Sequence, residues 1–268
     1  MAFEFHKDKE RYFRMQTENA AKSIIPFIEQ EFQISKGMKV LEIGCAEGGV
    51  LKAFIDKGCK GYGVELSPSR LKKATTFLEK EVNDEMAVLI NKNIYDVDFQ
   101  EEMKGEFDLI ILKDVIEHIF DQNKLLDKLR TFLKPNGFIF FGFPPWQMPF
   151  GGHQQIAKSK VLSKLPYYHL LPMIAYKGVL KLFKETPERI ADLVEIKETG
   201  ISIERFERIC KENKYSINQR TYFLINPIYS YKFNLKETKQ IGLIAKIPYI
   251  RNYLTTGMYY LVQKRSLN

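Results

Sequence analysis

Between residues 39 and 143, short β-branched and aromatic runs alternate with stretches of helical period, and this rhythm constrains the fold of the 268-residue chain more than any other feature. The strand-like runs are KVLEI (39–43), GYGVEL (61–66), AVLIN (87–91), FDLIIL (107–112) and FIFFGF (138–143). FDLIIL is apolar at nearly every position, as expected of a strand buried on both faces. Helical stretches lie between the strands. GGVLKAFIDKG (48–58) closes on Gly58, and SPSRLKKATTFLEKEV (67–82) opens with Ser67 as N-cap and Pro68 in the first turn. DQNKLLDKLRTFLKPNG (121–137) has Asp121 as N-cap and Pro135-Asn136-Gly137 as its stop. A further helix is expected over 8–33. Strands and helices alternating at this spacing predict parallel pairing through right-handed crossovers, an α/β doubly wound, Rossmann-like sheet. Such sheets bind ligands at the carboxyl ends of their strands, where strand order reverses.

After Phe143 the rhythm stops. PPWQMPFGGHQQIAKSK is a Pro/Gly/aromatic loop, and residues 158–195 read as a mixed helical insertion. An amphipathic helix (201–215) and strands at 216–225 and 256–264 follow, the strands predicting an antiparallel edge pair on the mostly parallel sheet. The expected organisation is a core of 1–143 and 201–268, with 144–200 as an inserted helical and irregular cap, helped by 227–250.

The loop after the first strand reads GCAEGG, with Glu42 just before it. Gly44 and Gly48 let backbone approach a ligand closely, and the next helix offers its N-terminal N–H groups to an anionic group. Glu65 ends the second strand, where an acid can accept the hydroxyls of a ribose. Two ligand classes fit: a dinucleotide, or an adenosine with a cationic tail. Glu42 separates them, because a carboxylate at the turn repels a pyrophosphate and favours an ammonium or sulfonium. Ala46 also occupies the middle position of the G-x-G-x-x-G dinucleotide pattern.

VLEIGCAEGG, GYGVELSPSRLKKA, NKNIYDVDF, FDLIILKDVIEHI and LKPNGFIFF, taken in order, resemble the successive motifs of the class I S-adenosylmethionine-dependent methyltransferases. The resemblance is strong over about 38–143 and looser from 201. It implies S-adenosyl-L-methionine as cofactor. By position, it places Glu42, Gly44, Cys45, Ala46 and Gly48 around the methionine moiety, with Lys113 and Asp114 beside it. It also places Glu65 on the ribose, Leu66 against the adenine, and Asn93 and Ile94 near the adenine amino group. The family often has an acid where Asn93 stands, and usually a glycine where Ala46 stands.

Methyl transfer from a sulfonium needs alignment and exclusion of water, and a base only if the acceptor must lose a proton. His118, four residues after Asp114, and His153, beside Gly151-Gly152 in the loop after the fifth strand, are the catalytic candidates; each has a structural histidine as its alternative. Tyr12 and Arg14 are placed where they could close over the cofactor. No metal is expected. Cys45, Cys59 and Cys210 have neither metal spacing nor an even count, and read as free thiols of a reducing cytoplasm.

Residues 147–268 carry 20 Lys+Arg against 9 Asp+Glu and so account for the net charge of +8. Within them, 158–184 holds six lysines, no acid and many apolar residues. That pattern suits peripheral contact with an anionic membrane or an amphiphilic acceptor; the alternative is an insertion that buries its apolar side and solvates its lysines. The N-terminus lacks the apolar core of a signal peptide, and no run approaches the roughly 18 apolar residues of a membrane span. With no nucleic-acid module in the sequence, nucleic acid is not the expected partner. Phe143 precedes Pro144-Pro145-Trp146, so the amide-bearing motif of amino-methylating enzymes is missing, which points to an oxygen or carbon acceptor. The expected function is cytoplasmic methylation of a small or amphiphilic, lipid- or glycan-linked, acceptor. The alternatives are a NAD-type oxidoreductase and a non-catalytic, adenosine-binding module of the membrane surface.

Overall fold

The computed structural model describes residues 8–265; part of the N-terminal stretch read against a signal peptide lies outside them. Eight strands form one sheet: β1 (Lys39–Ile43), β2 (Lys60–Val64), β3 (Ala87–Ile90), β4 (Phe107–Lys113), β5 (Leu133–Phe143), β6 (Tyr215–Ile225), β7 (Thr238–Lys239) and β8 (Gly257–Lys264). Their order is β3-β2-β1-β4-β5-β8-β6-β7. The first five pair in parallel, and β8, β6 and β7 add antiparallel. The expected doubly wound sheet is present, and strand order reverses between β1 and β4.

Both faces of the sheet are covered because alternate side chains on a strand point to opposite sides. On β4, Ile110 and Leu112 pack with the helices Gln122–Phe132 and Ile203–Glu212. Leu109 and Ile111 pack on the other face with Ile24, Phe27, Ile28 and Phe54. Each such side chain, fully withdrawn from water, contributes about 1.5–3 kcal/mol, so the centre of the sheet is the rigid part of the molecule.

Several boundaries differ from the sequence reading. The first helix runs Lys9–Asn19, passes through a π turn at Ala20–Ile24 and ends at Ile28. Pro26 has no N–H for the regular ladder, and the wider turn just before it absorbs the defect. Asp121 does cap its helix, accepting from Lys124 N at 2.9 Å. That helix, however, stops at Phe132, and Pro135-Asn136-Gly137 lie within β5. The pairing of β5 with β4 slips there, jumping from Phe107–Leu133 to Leu109–Phe138, so the turn residues make a bulge instead of a helix stop. Ser67 stands at an N-cap without a capping bond, its hydroxyl 3.0 Å from that of Ser69. The expected edge pair is β6 with β8, but the short β7 lies outside it.

The segment 144–200 is closed at its base where Trp146 N donates to Ile201 O at 2.8 Å, and it touches the rest of the chain again where Gln122 donates to Thr199 O at 2.7 Å. Gly200 is needed at the base, since a Cβ would lie 2.6 Å from the Trp146 ring. The insertion has a small core of its own, centred on Leu162, Tyr168, Tyr176, Leu180 and Leu193. It meets the second irregular stretch where Tyr167 donates its hydroxyl to Tyr253 O at 3.0 Å. Among the described residues no helix is long and apolar enough to cross a membrane.

Candidate functional site

The β1 strand runs straight into the glycine loop, and three residues there adopt left-handed backbone: Gly44 (φ 69°), Ala46 (φ 49°) and Gly48 (φ 83°). At Gly44 a Cβ would meet the Val115 methyl at 2.8 Å, and at Gly48 the Leu78 methyl at 2.7 Å. Both positions therefore need glycine for conformation and for space. Ala46 pays the strain of its φ but is held in place, its N–H donating to Glu65 Oε2 at 3.0 Å. The other oxygen, Glu65 Oε1, accepts from Ser67 N at 2.8 Å. Glu65 thus ties the ends of β1 and β2 together, and each carboxylate oxygen keeps a lone pair for a further donor.

Glu42, Gly44, Cys45, Ala46, Lys113 and Asp114 line one cavity at the strand ends. The cavity continues onto the N-terminal helix through Tyr12, Phe13 and Gln16, and includes Arg70. Glu42 is only 4% exposed, and its Oε2 has no hydrogen-bond partner. Burial lifts its pKa to about 8, opposed by the nearby Lys113 ammonium. A neutral acid in this cavity becomes a carboxylate when a positive group arrives beside it. Lys113 and Asp114 form an ion pair at 2.5 Å. Burial alone would lower the Lys113 pKa, yet the charge of Asp114 keeps it raised.

The remaining cofactor candidates, Gly48, Leu66, Asn93 and Ile94, do not line this cavity. Gly48 precedes the helix Gly49–Asp56. Leu66, 65% exposed, lies beyond β2. Asn93 starts a turn, its Oδ1 accepting from Tyr95 N at 3.0 Å. Ile94 is buried in the main core. Cys45, Cys59 and Cys210 are free and buried, and burial pushes the Cys45 thiol well up, so it stays protonated. Of the two N-terminal candidates, Tyr12 reaches the cavity, whereas Arg14 is on the surface, paired with Glu10.

His118 and His153 come together, with ring centres 5.0 Å apart. His153 has left-handed backbone (φ 50°), and burial with the neighbouring His118 holds its pKa down to about 4. Both rings feel the charge of Asp114, which joins this pair to the cavity wall.

Four contributors were not picked out from the sequence. Glu47, buried in the loop, pairs with Lys9 at 2.8 Å. Gln16 donates to the Tyr12 hydroxyl at 2.7 Å. Asn91 donates to Glu65 O at 2.7 Å and so fixes the end of β2. Lys232, from the helix Ile228–Phe233, stands 5.7 Å from the Tyr12 ring centre, and burial beside Lys113 lowers its pKa to about 8. Of these, only Glu47 carried a local signal, as an acid inside a glycine loop.

The family described as "Methyltransferase domain" matches residues 13–161, more than half of the chain. Among curated proteins, the chain is 27% identical over 117 residues to a ubiquinone biosynthesis O-methyltransferase of Coxiella burnetii, covering 44% of this chain and 47% of that one. It is 30% identical over 119 residues to the protein of that name in Chromobacterium violaceum, covering 44% and 48%. The chain therefore spans about half the length of the curated relatives it matches. A geranyl diphosphate C-methyltransferase from Streptomyces coelicolor, solved with Mg2+, geranyl diphosphate and S-adenosyl-L-homocysteine, superposes with TM-score 0.56. Its identity is 15%, over 91% of this chain and 80% of that one. A phosphoethanolamine N-methyltransferase from Haemonchus contortus, solved with S-adenosyl-L-methionine, gives 0.54 at 16% identity, over 90% and 52%. These structures share the fold, and the family match covers the strand ends and loops that surround Glu42. By that match the chain belongs to the class I S-adenosylmethionine-dependent methyltransferases.

Proposed function

We propose that this protein transfers the methyl group of S-adenosyl-L-methionine to an oxygen or carbon of a small or amphiphilic acceptor. The observation that carries the proposal is Glu42, a buried acid on the cavity wall with an oxygen lacking any partner. The residues fit the cofactor. Glu42 would take the ammonium of the methionine tail, the loop backbone its carboxylate, and the free lone pairs of Glu65 the ribose hydroxyls. When bound, the cofactor supplies an electrophilic methyl group on a sulfonium.

The chain's own residues then set the geometry. Tyr12 and Gln16 wall the cavity from the N-terminal helix and exclude water. His118 and His153, beside Asp114, mark the acceptor's side. Burial keeps His153 neutral near pH 7, so a ring nitrogen is available to an acceptor hydroxyl. An acceptor hydroxyl placed beside this pair would pass its proton to the cluster as its oxygen takes up the methyl group. Oxygen is favoured by that proton outlet and by the two relatives named as O-methyltransferases; the C-methyltransferase neighbour keeps carbon as the alternative.

Calorimetry tests the donor site: saturable binding of S-adenosylhomocysteine is expected, and binding of NAD in its place would overturn the proposal. Incubation of acceptor pools with methyl-labelled cofactor then identifies the product. In His153→Ala, turnover should fall with S-adenosylhomocysteine binding intact; unchanged turnover removes that residue from the chemistry.

A second observation bears on location. Ile174 (90% exposed) and Leu182 (77%) stand out from the cap among its lysines, and Leu243 and Tyr249 are exposed in the other irregular stretch. This supports peripheral contact with an anionic lipid surface. Flotation with anionic vesicles at low salt is the test, and no co-flotation would exclude the contact.

A further inference from the structure

The acceptor side holds a group of side chains that proton transfer alone does not explain. Glu117, His118 and His153 each offer one ligand-type atom, and these atoms all lie within 4.8 Å of one another. Glu117 and His118 come from the short turn after β4, whereas His153 arrives from the loop after β5. Glu117 is 6% exposed, and its Oε2 has no hydrogen-bond partner. A buried carboxyl oxygen without a partner is costly, and an arriving cation would satisfy it.

We propose that Glu117, His118 and His153 form a site for one divalent transition-metal ion of the zinc class, next to the methyl-donor cavity. Two imidazole nitrogens and one carboxylate oxygen suit Zn2+ and its neighbours better than Mg2+ or Ca2+, which favour all-oxygen sites. Atoms bound to one such ion at about 2.0–2.2 Å stand roughly 3.3 Å apart. Rotations moving the side-chain tips by about 1 Å would therefore close the site. Three protein ligands leave a position open, and Asp114, whose charge is felt by all three, lies on the side of the donor cavity.

The open position suits an acceptor oxygen. Coordination lowers the pKa of a bound hydroxyl. Its proton passes to water, the oxygen forms the bond to the methyl carbon, and the S–CH3 bond breaks to leave the neutral thioether. In this state the imidazoles are ligands and take no proton, so the histidine pair acts through the ion. This catalytic role rests on the methyl-transfer proposal, whereas metal binding does not.

The test uses the full chain, stripped with a chelator and titrated with Co2+ alone, followed by visible absorption and competed with Zn2+. One Co2+ per chain is expected, with the absorption bands of nitrogen- and oxygen-bound Co2+. Affinity should fall at least about tenfold in His153→Ala and in Glu117→Gln. S-adenosylhomocysteine binding, measured on the same samples, reports that each variant is folded. Absence of a saturable band in the wild-type protein, or an unchanged band in both variants, overturns the metal site. If labelled methyl transfer persists in the stripped protein while Co2+ does not bind, the metal proposal falls and the methyl-transfer proposal stands. If Co2+ binds as described but S-adenosylhomocysteine does not, the reverse holds.

Discussion

The two sides of the site are built differently. The donor wall is local: a strand, a glycine turn and a helix, contiguous over residues 39–56, with Glu65 tied in by a bond to Ala46. The proposed acceptor side is assembled from afar, with Tyr12 of the first helix on the cavity lining and, outside that lining, His118 after β4, His153 after β5 and Lys232 from the second irregular stretch. A wall made by one supersecondary unit keeps its geometry whatever the rest of the chain does. A side made by four distant segments can change its chemistry through any one of them.

The largest effect that would break this contrast is expected at Glu42. Glu42→Gln keeps the volume but removes the charge, and should weaken S-adenosylhomocysteine about 100-fold by calorimetry, the scale of a lost buried ionic hydrogen bond. The folded pKa of Glu42 is raised to about 8 from 4.5. The folded state therefore holds the proton more tightly than the unfolded chain. This contribution is fully present below about pH 4.5 and is lost as pH rises towards 8. Melting of the ligand-free protein should fall more steeply from pH 6 to 8 in wild type than in Glu42→Gln. Equal slopes would mean that Glu42 does not titrate in this window.

Next comes Gly44→Ala, which adds left-handed strain and a contact of 2.8 Å with Val115. A loss of about 2 kcal/mol is expected, with the melting temperature lower by about 4–8 °C; a neutral result would mean that the loop yields.

On the opposite side, Lys232→Met should stabilise the ligand-free protein at pH 7 by about 1 kcal/mol, after allowance for solvent screening. The folded pKa of Lys232 is depressed to about 8, so its penalty is full below pH 8 and disappears as pH rises towards 10.5. The gap in melting temperature between variant and wild type should close over that range. A gap that does not change with pH would assign the effect to packing.

The smallest effect is expected for Ala46→Gly, which relieves a left-handed alanine and should add about 0.5–1 kcal/mol. Denaturant melts would show it, and a loss of stability would mean that the Glu65 bond depends on the alanine.

The same contrast explains what could be read from the sequence. The five parallel strands, the glycine loop and Glu42 were legible because each lies within one strand-turn-helix unit. The pairing of His118 with His153 was not, since each was only a separate candidate. Lys232 gave no signal, because its lowered pKa comes from burial in the assembled fold and then from Lys113, far away in the chain. Local chemistry also misled. Pro135-Asn136-Gly137 has the composition of a helix stop, but pairing with β4 and β8 drew that segment into a bulged strand. Arg14 shares a helix with Tyr12 but faces outward, a matter of helical phase that composition does not fix.

The clasp between Trp146 and Ile201 at the base of this segment has an evolutionary corollary. The portion between those residues is closed at its base there, with further ties such as Gln122 to Thr199 O and Tyr167 to Tyr253 O, and the entropy of closing a loop grows only slowly with its length. If that portion is the acceptor-recognising cap we propose, descendants of this chain should tolerate its lengthening, shortening or replacement while the methyl-donor apparatus stays intact. Changes in what is methylated should therefore accumulate on one side of the clasp, and the donor machinery should persist on the other.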